Sequence, residues 1–338
     1  MKLRQASWFG LAIALALGAG CGPKEEGGTS ESGGGGGGGD KKFTIAMIPK
    51  GTTHEFWKSV EAGARDAEKE LGNVEVIWKG PLKEDNKDEQ VKVVEDFTGQ
   101  GVDGIALAPL DDTALRIPAE NAKKAGVPVL IFDSDLKDVD VVSFVATDNK
   151  KGGFMAGEHL AKLIGGKGKV VLLRYQEGSA STTFREEGFL EAMKANPGIE
   201  LLSDNRYAGA TVESALAESE NLLSRFKNPD GSPGVDAIFC PNESSTAGML
   251  RALQDGGWAG KVKFVGFDAS AKLIEALEAG QLHGLILQNP RRMGYLAVKT
   301  MVESLQGKTP EKRIDTGATL VTKENMKEPD VAKLLEIP

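Results

Sequence analysis

From residue 43 onward, short apolar runs rich in β-branched and aromatic residues alternate with stretches of helical periodicity. This alternation constrains the fold more than any other feature of the chain, because strand and helix in regular succession build parallel sheets joined by right-handed crossovers. Runs at 43–48, 74–78, 104–108, 128–132 and 141–146 read as strands. After the first of them, Trp57, Val60, Ala64, Ala67 and Leu71 recur on one helical stripe. A second series of strand runs lies at 170–174, 199–203, 235–240, 262–267 and 283–288, again with helices between. At roughly 100 to 200 residues per domain, this length predicts two α/β domains in series, each built on about five strands. No shift in composition marks a linker near residue 147, so short hinge crossings are expected to join them.

Composition narrows the function. The 338 residues carry 41 Lys plus Arg against 49 Asp plus Glu, a net charge of −8 that argues against a nucleic-acid partner. A hydrophobic fraction of 40% and a charged fraction of 27% provide for a large core and exclude global disorder. No apolar run reaches the roughly 18 to 20 residues that a membrane-crossing helix needs. Two cysteines, Cys21 and Cys240, are too few for a disulfide scaffold. Lys2 and Arg4 precede the apolar stretch Trp8 to Leu17, and Gly18, Ala19 and Gly20 lead directly into Cys21. Residues 1–21 therefore read as a secretory signal peptide that resembles those of bacterial lipoproteins. The resemblance implies lipidation of Cys21 and an extracytoplasmic place, periplasmic or at the cell surface, with the chain held to the membrane by its lipid. Residues 22–42 contain an unbroken glycine run from Gly33 to Gly39 and read as a flexible tether.

In open α/β sheets the ligand crevice lies at the carboxyl ends of the strands. His54, Phe56 and Trp57 follow the first strand, Asp111 and Asp112 the third, Asp133 the fourth, Asn242 the eighth and Asp268 the ninth. Arg185 opens the helix after the strand ending at Arg174, and Gln288 ends its own strand. Carboxylates, amides, a guanidinium and aromatic faces are the mixture that sugar hydroxyls and C–H faces require. Plainer roles stand beside these. Trp57 fits the core as well as a stacking surface, and His54 fits a helix N-terminus as well as a ligand contact. Asp111, Asp112 and Asp148 are read as helix caps, and Cys240 as a small buried hydrophobe. Neither a P-loop, nor an H-E-x-x-H pair, nor a G-x-S-x-G elbow is present. Asp133 and Asp135 begin no complete calcium loop. No catalytic residue, metal or cofactor is expected.

The ordered set Ile45-Ala46-Met47-Ile48, Phe56-Trp57, Asp133, Ala146-Thr147-Asp148-Asn149, Arg185 ahead of Gly188-Phe189, Asn242, Gly266-Phe267-Asp268 and Gln288 resembles the bacterial periplasmic sugar-binding proteins of the ribose-binding type. The resemblance extends from residue 43 to about 322. It implies two Rossmann-like lobes joined by a three-crossing hinge, with crossings near Thr147, Gln288 and Asp315. One lobe would comprise 43–147 plus 289–315, the other 148–288 plus 316–338. It further implies a monomer that closes on a monosaccharide or polyol and delivers it to the permease of an ABC importer; presentation of the closed form to a chemoreceptor or sensor kinase is the alternative. Phe56 and Trp57 would stack on the sugar, Asp133, Arg185, Asn242, Asp268 and Gln288 would bond its hydroxyls, and Phe267 would line the wall. The chain departs from ribose binders at Ala108, Ser134 and Ala210, where they carry Asn, Arg and an aromatic residue; Tyr207 lies near the last. These departures point to a polyol other than ribose.

Overall fold

The computed structural model describes residues 42–336. The expected signal peptide, Cys21 and the tether up to residue 41 lie outside the described residues. In chain order the elements are β1 (Phe43–Ile48), α1 (Glu55–Leu71), β2 (Val74–Trp78), α2 (Lys87–Gln100), β3 (Gly104–Leu107), α3 (Arg116–Lys124), β4 (Val129–Phe132), β5 (Phe144–Ala146), α4 (Asn149–Leu163), β6 (Gly168–Arg174) and α5 (Ala180–Ala195). They continue as β7 (Ile199–Tyr207), α6 (Val212–Ser224), β8 (Ala237–Phe239), α7 (Glu243–Asp255), β9 (Lys263–Phe267), α8 (Ala271–Glu278), β10 (Gly284–Leu287), α9 (Pro290–Leu305), β11 (Arg313–Asp315), β12 (Thr319–Val321) and α10 (Pro329–Leu334).

Two six-stranded sheets result, ordered β11-β5-β4-β3-β1-β2 and β12-β10-β9-β8-β6-β7. Every pairing is parallel except that of β12 with β10. Because strands covered on both faces need apolar side chains on both, β1 sends Ile45 and Met47 into one core cluster and Ala46 and Ile48 into another. In the second sheet β6 does the same, with Val171 and Leu173 on one face and Val170 and Leu172 on the other. The chain passes from the first sheet to the second after β5, returns after β10, and crosses again between β11 and β12.

The two sheets have one plan. Each strand of the first has a counterpart at the same station in the second, so that β4 corresponds to β9 and β5 to β10. The strands β11 and β12 were not anticipated from the sequence. At three residues each they are too short to show periodicity, and pairing across the sheet edge defines them. Arg185 does not open its helix, because α5 already begins at Ala180 and places it in the second turn.

Candidate ligand-binding site

The site is built on two aspartates. Asp133 follows β4 and Asp268 follows β9, with φ of 60° and 64°. Their amides donate to Val145 O at 3.1 Å and to Ile286 O at 2.9 Å, each on the next strand of its sheet. A left-handed backbone is costly for most side-chain-bearing residues and least so for Asp and Asn, so the turn out of each strand favours one of these two residues at this place. Strand ends and helix starts from both lobes surround a small cavity. His54, Phe56, Trp57, Asp133, Arg185, Asn242, Asp268 and Gln288, all expected from the sequence, line it.

Charges face one another across this space. Lys50 Nζ lies 3.2 Å from Asp133 Oδ2 and donates to Ser179 Oγ at 3.1 Å and Ser181 Oγ at 3.0 Å. Arg185 donates from Nε to Asn149 Oδ1 at 2.8 Å and from Nη1 to Pro241 O at 2.9 Å. Its Nη2 stands 3.9 Å from Asp133 Oδ1, and its Nη1 stands 3.7 Å from Asp268 Oδ2. Gln288 Nε2 donates to Asp268 Oδ1 at 2.9 Å. Burial pushes the Asp268 carboxyl up to about 6, against the pull of Arg185 and Gln288. Burial likewise raises Glu243 to about 7, although His54 and the amide of Phe56 act the other way. Glu243 accepts from the amides of Glu55 at 3.3 Å and Phe56 at 3.1 Å. A carboxylate on α7 thereby serves the N-terminus of α1, whose own N-cap, His54, makes no side-chain capping bond.

Several expected residues take more specific places than the sequence indicates. Trp57 is both core and lining: it is buried in the first sheet's cluster, meets Phe56 edge-on at 4.8 Å, and donates from Nε1 to Glu84 Oε1 at 2.6 Å. Asn242 lines the cavity while capping α7, its Oδ1 accepting from Ser245 N at 3.2 Å and its Nδ2 donating to Ser244 Oγ at 3.1 Å. Phe267 does not line the cavity. It is fully buried in the core, and the Arg185 guanidinium lies over its ring at 4.0 Å, so the phenyl supports the arginine from behind. Tyr207 is 40% exposed and is not among the lining residues; Tyr175 supplies the tyrosine there instead. Asp148 caps α4 through Lys151 N, and Asp111 accepts from the amides of Thr113 and Ala114. Cys240 is buried and free. Among the described residues no cluster of three or more His, Cys, Asp or Glu is placed to hold a metal, and no helix is long and apolar enough to cross a membrane.

Lys50, Glu84, Tyr175, Ser181, Thr182 and Glu243 complete the lining without having been singled out from the sequence. Lys50 and Tyr175 stand just after β1 and β6, so the rule that picks out Asp133 could have found them. Glu84 lies in the loop between β2 and α2 with no such signal.

The model of the periplasmic binding protein domain matches residues 45–309. The D-allose-binding periplasmic protein of Escherichia coli is 30% identical over 77% of this chain and 83% of its own length. The ribose import binding protein of the same organism is 30% identical over 84% of this chain and 92% of its own. Among solved structures, a carbohydrate transporter solute-binding protein from Agrobacterium radiobacter in complex with D-arabinose superposes with a TM-score of 0.82 at 33% identity, covering 87% of this chain and 99% of the other. An ABC transporter solute-binding protein from Agrobacterium vitis with bound D-fucose gives 0.82 at 33% identity, covering 87% and 100%.

Proposed function

The chain belongs to the periplasmic binding protein family, and from that premise we propose that it captures a monosaccharide or related polyol between its lobes and delivers it to an ABC-type importer. It is a binding protein and not an enzyme. One observation carries the ligand class. Among the described residues, two buried side-chain polar atoms have no hydrogen-bond partner, Arg185 Nη2 and Gln288 Oε1, and both belong to residues lining the same cavity. One can only donate and the other can only accept, and leaving such groups unpaired costs on the order of 1 to 3 kcal/mol each. Hydroxyl groups do both. A polyol bridging the pair, flanked by Asp133 and Asp268 and covered by Phe56 and Trp57, satisfies them. The D-arabinose and D-fucose bound by the related structures support this class.

In this reading the mobile bodies are 43–147 plus 289–315 and 148–288 plus 316–338, hinged near Thr147, Gln288 and Asp315. The packing of α9 on α1 and of α4 on α5 supports the division. The protein acts as a monomer outside the cytoplasm, tied to the membrane through a lipid on Cys21; fatty-acid labelling that survives Cys21→Ser would refute the anchor. The ligand is tested by a thermal-shift screen against pentoses, hexoses and polyols. A sugar binding only the folded state, at 100 times its dissociation constant, adds about 2.7 kcal/mol. Stabilisation by one or a few related polyols is expected; a flat response, with no sugar released from denatured protein on mass spectrometry, would overturn the reading.

A further inference from the structure

Glu84 is buried and reaches the cavity from the loop between β2 and α2. The loop is held close to the segment after β1: Lys79 N donates to Met47 O at 3.1 Å and Thr52 N to Leu82 O at 3.4 Å. Room for the side chain is provided at Gly51, where a Cβ would stand 2.9 Å from Glu84 Cγ. Three side chains converge on the carboxylate. Oε1 accepts from Trp57 Nε1 at 2.6 Å and faces His54 Nδ1 at 2.7 Å, and Oε2 accepts from the Tyr175 hydroxyl. Trp57 and His54 belong to α1 and its N-cap; Tyr175 follows β6 in the other lobe and reaches Glu84 across the cleft, where Gln176 Nε2 also donates to Glu84 O at 3.2 Å.

We propose that Glu84 is the positioning residue of this cavity: its carboxylate orients the His54 ring and the Trp57 indole toward the bound sugar, and it receives the Tyr175 hydroxyl when the lobes meet. The proposal rests on reading the cavity as the sugar site. With both oxygens occupied by protein donors, Glu84 acts through these side chains and not on the sugar directly. Holding Nδ1 fixes the imidazole and leaves Nε2–H as the donor available to the cavity. Burial alone would lower the His54 pKa, but the charge of Glu84 and its hydrogen bond, with Glu243 and Asp268, raise it to about 9. Those three carboxylates face the ring from the β2–α2 loop, α7 and the end of β9, and Glu213 at the start of α6 acts from farther away. At neutral pH the ring is therefore a charged, oriented donor.

The test follows the His54 ring by NMR in the full chain, its signals assigned with a His54→Asn variant, alongside calorimetry with D-allose, D-ribose and D-arabinose. In the wild-type protein His54 should titrate near pH 9. In Glu84→Gln it should titrate at or below about 7, and the affinity for whichever of these sugars binds should fall as pH rises through that new midpoint. Tyr175→Phe should leave the His54 midpoint in place while weakening the sugar at least tenfold. Glu84→Asp, which keeps the charge, serves if Glu84→Gln does not fold, and should retain a raised midpoint. A His54 midpoint unmoved in Glu84→Gln overturns the proposal, as does a moved midpoint with an unchanged pH profile of sugar binding. Failure of the wild-type protein to bind any of the sugars would count against the sugar reading instead, since the ring titration needs no sugar.

Discussion

Asp133 and Asp268 combine two demands at one position: an acid that faces the cavity and a backbone at φ near +60°. Replacement by Asn keeps the tolerated conformation and removes the charge, leaving Lys50 and Arg185 beside Asp133 without their carboxylate. Asp133→Asn and Asp268→Asn should each weaken sugar binding at least tenfold, about 1.4 kcal/mol; Asp133→Asn should also lower the melting temperature, because it leaves the buried Lys50 charge without its partner. Asp133→Ala should lose on the order of 1 kcal/mol of stability in addition, because alanine pays more for the left-handed turn; calorimetry and thermal melts read the two effects separately. Glu243 gives a pH signature. Its folded pKa of about 7 lies above the ordinary 4.5, so the stability it contributes is fully present below pH 4.5 and is lost as pH rises through 7. Glu84, held down to about 2, contributes in the opposite sense, above pH 4.5, and loses its contribution only as pH falls through 2. Glu243→Gln should flatten the melting-temperature profile between pH 4.5 and 7 and leave the acid limb intact.

At the scale of elements, the helices that carry the site are seated by glycines on backbone. A Cβ at Gly63 of α1 would fall 1.8 Å from Arg291 O, and one at Gly294 of α9 would fall 1.9 Å from Val60 O. The second lobe repeats the device, Gly153 of α4 meeting Arg185 O at 1.8 Å and Gly188 of α5 meeting Lys150 O at 1.9 Å. These distances leave no room for a methyl group, so the helices must separate to admit one. Gly294→Ala should cost about 1 to 3 kcal/mol by urea denaturation. Gly153→Ala should cost a similar amount and also reduce sugar affinity, because the backbone it displaces is that of Arg185. The helical stripe of α1 was legible in the sequence, whereas its backbone contact with α9, more than two hundred residues on, depends on how the chain returns to the first sheet.

For the whole molecule, the lobes touch through more than the site. Ser181 N donates to Ser134 Oγ at 3.1 Å, Asp112 N to Gly178 O at 2.9 Å, and Glu243 holds the amides of α1. Such contacts lower the free energy of the closed form before any sugar adds its differential affinity. Lys50 adds its bonds to Ser179 and Ser181, and removing these together with the Glu243 contacts, as in Lys50→Ala with Glu243→Ala, should increase the radius of gyration of the sugar-free protein in X-ray scattering. If the double variant scatters identically to the wild type, these contacts do not govern closure.

The sequence alone determined the class of fold and most of the lining, because strand periodicity and the residues that follow strands are local properties. Asp133, Asp268, Asn242 and Gln288 could be found by counting from the ends of apolar runs. Tertiary structure decided the rest. Phe267 and Tyr207 end strands much as the lining residues follow or end theirs, yet one lies buried beneath a guanidinium and the other is partly exposed outside the lining. Glu84 entered the cavity because a loop folds back over Gly51, and the edge strands β11 and β12 exist only through their partners. Local chemistry fixes which groups a strand can present; which of them share one space depends on contacts between distant parts of the chain, where packing and charge pairing act.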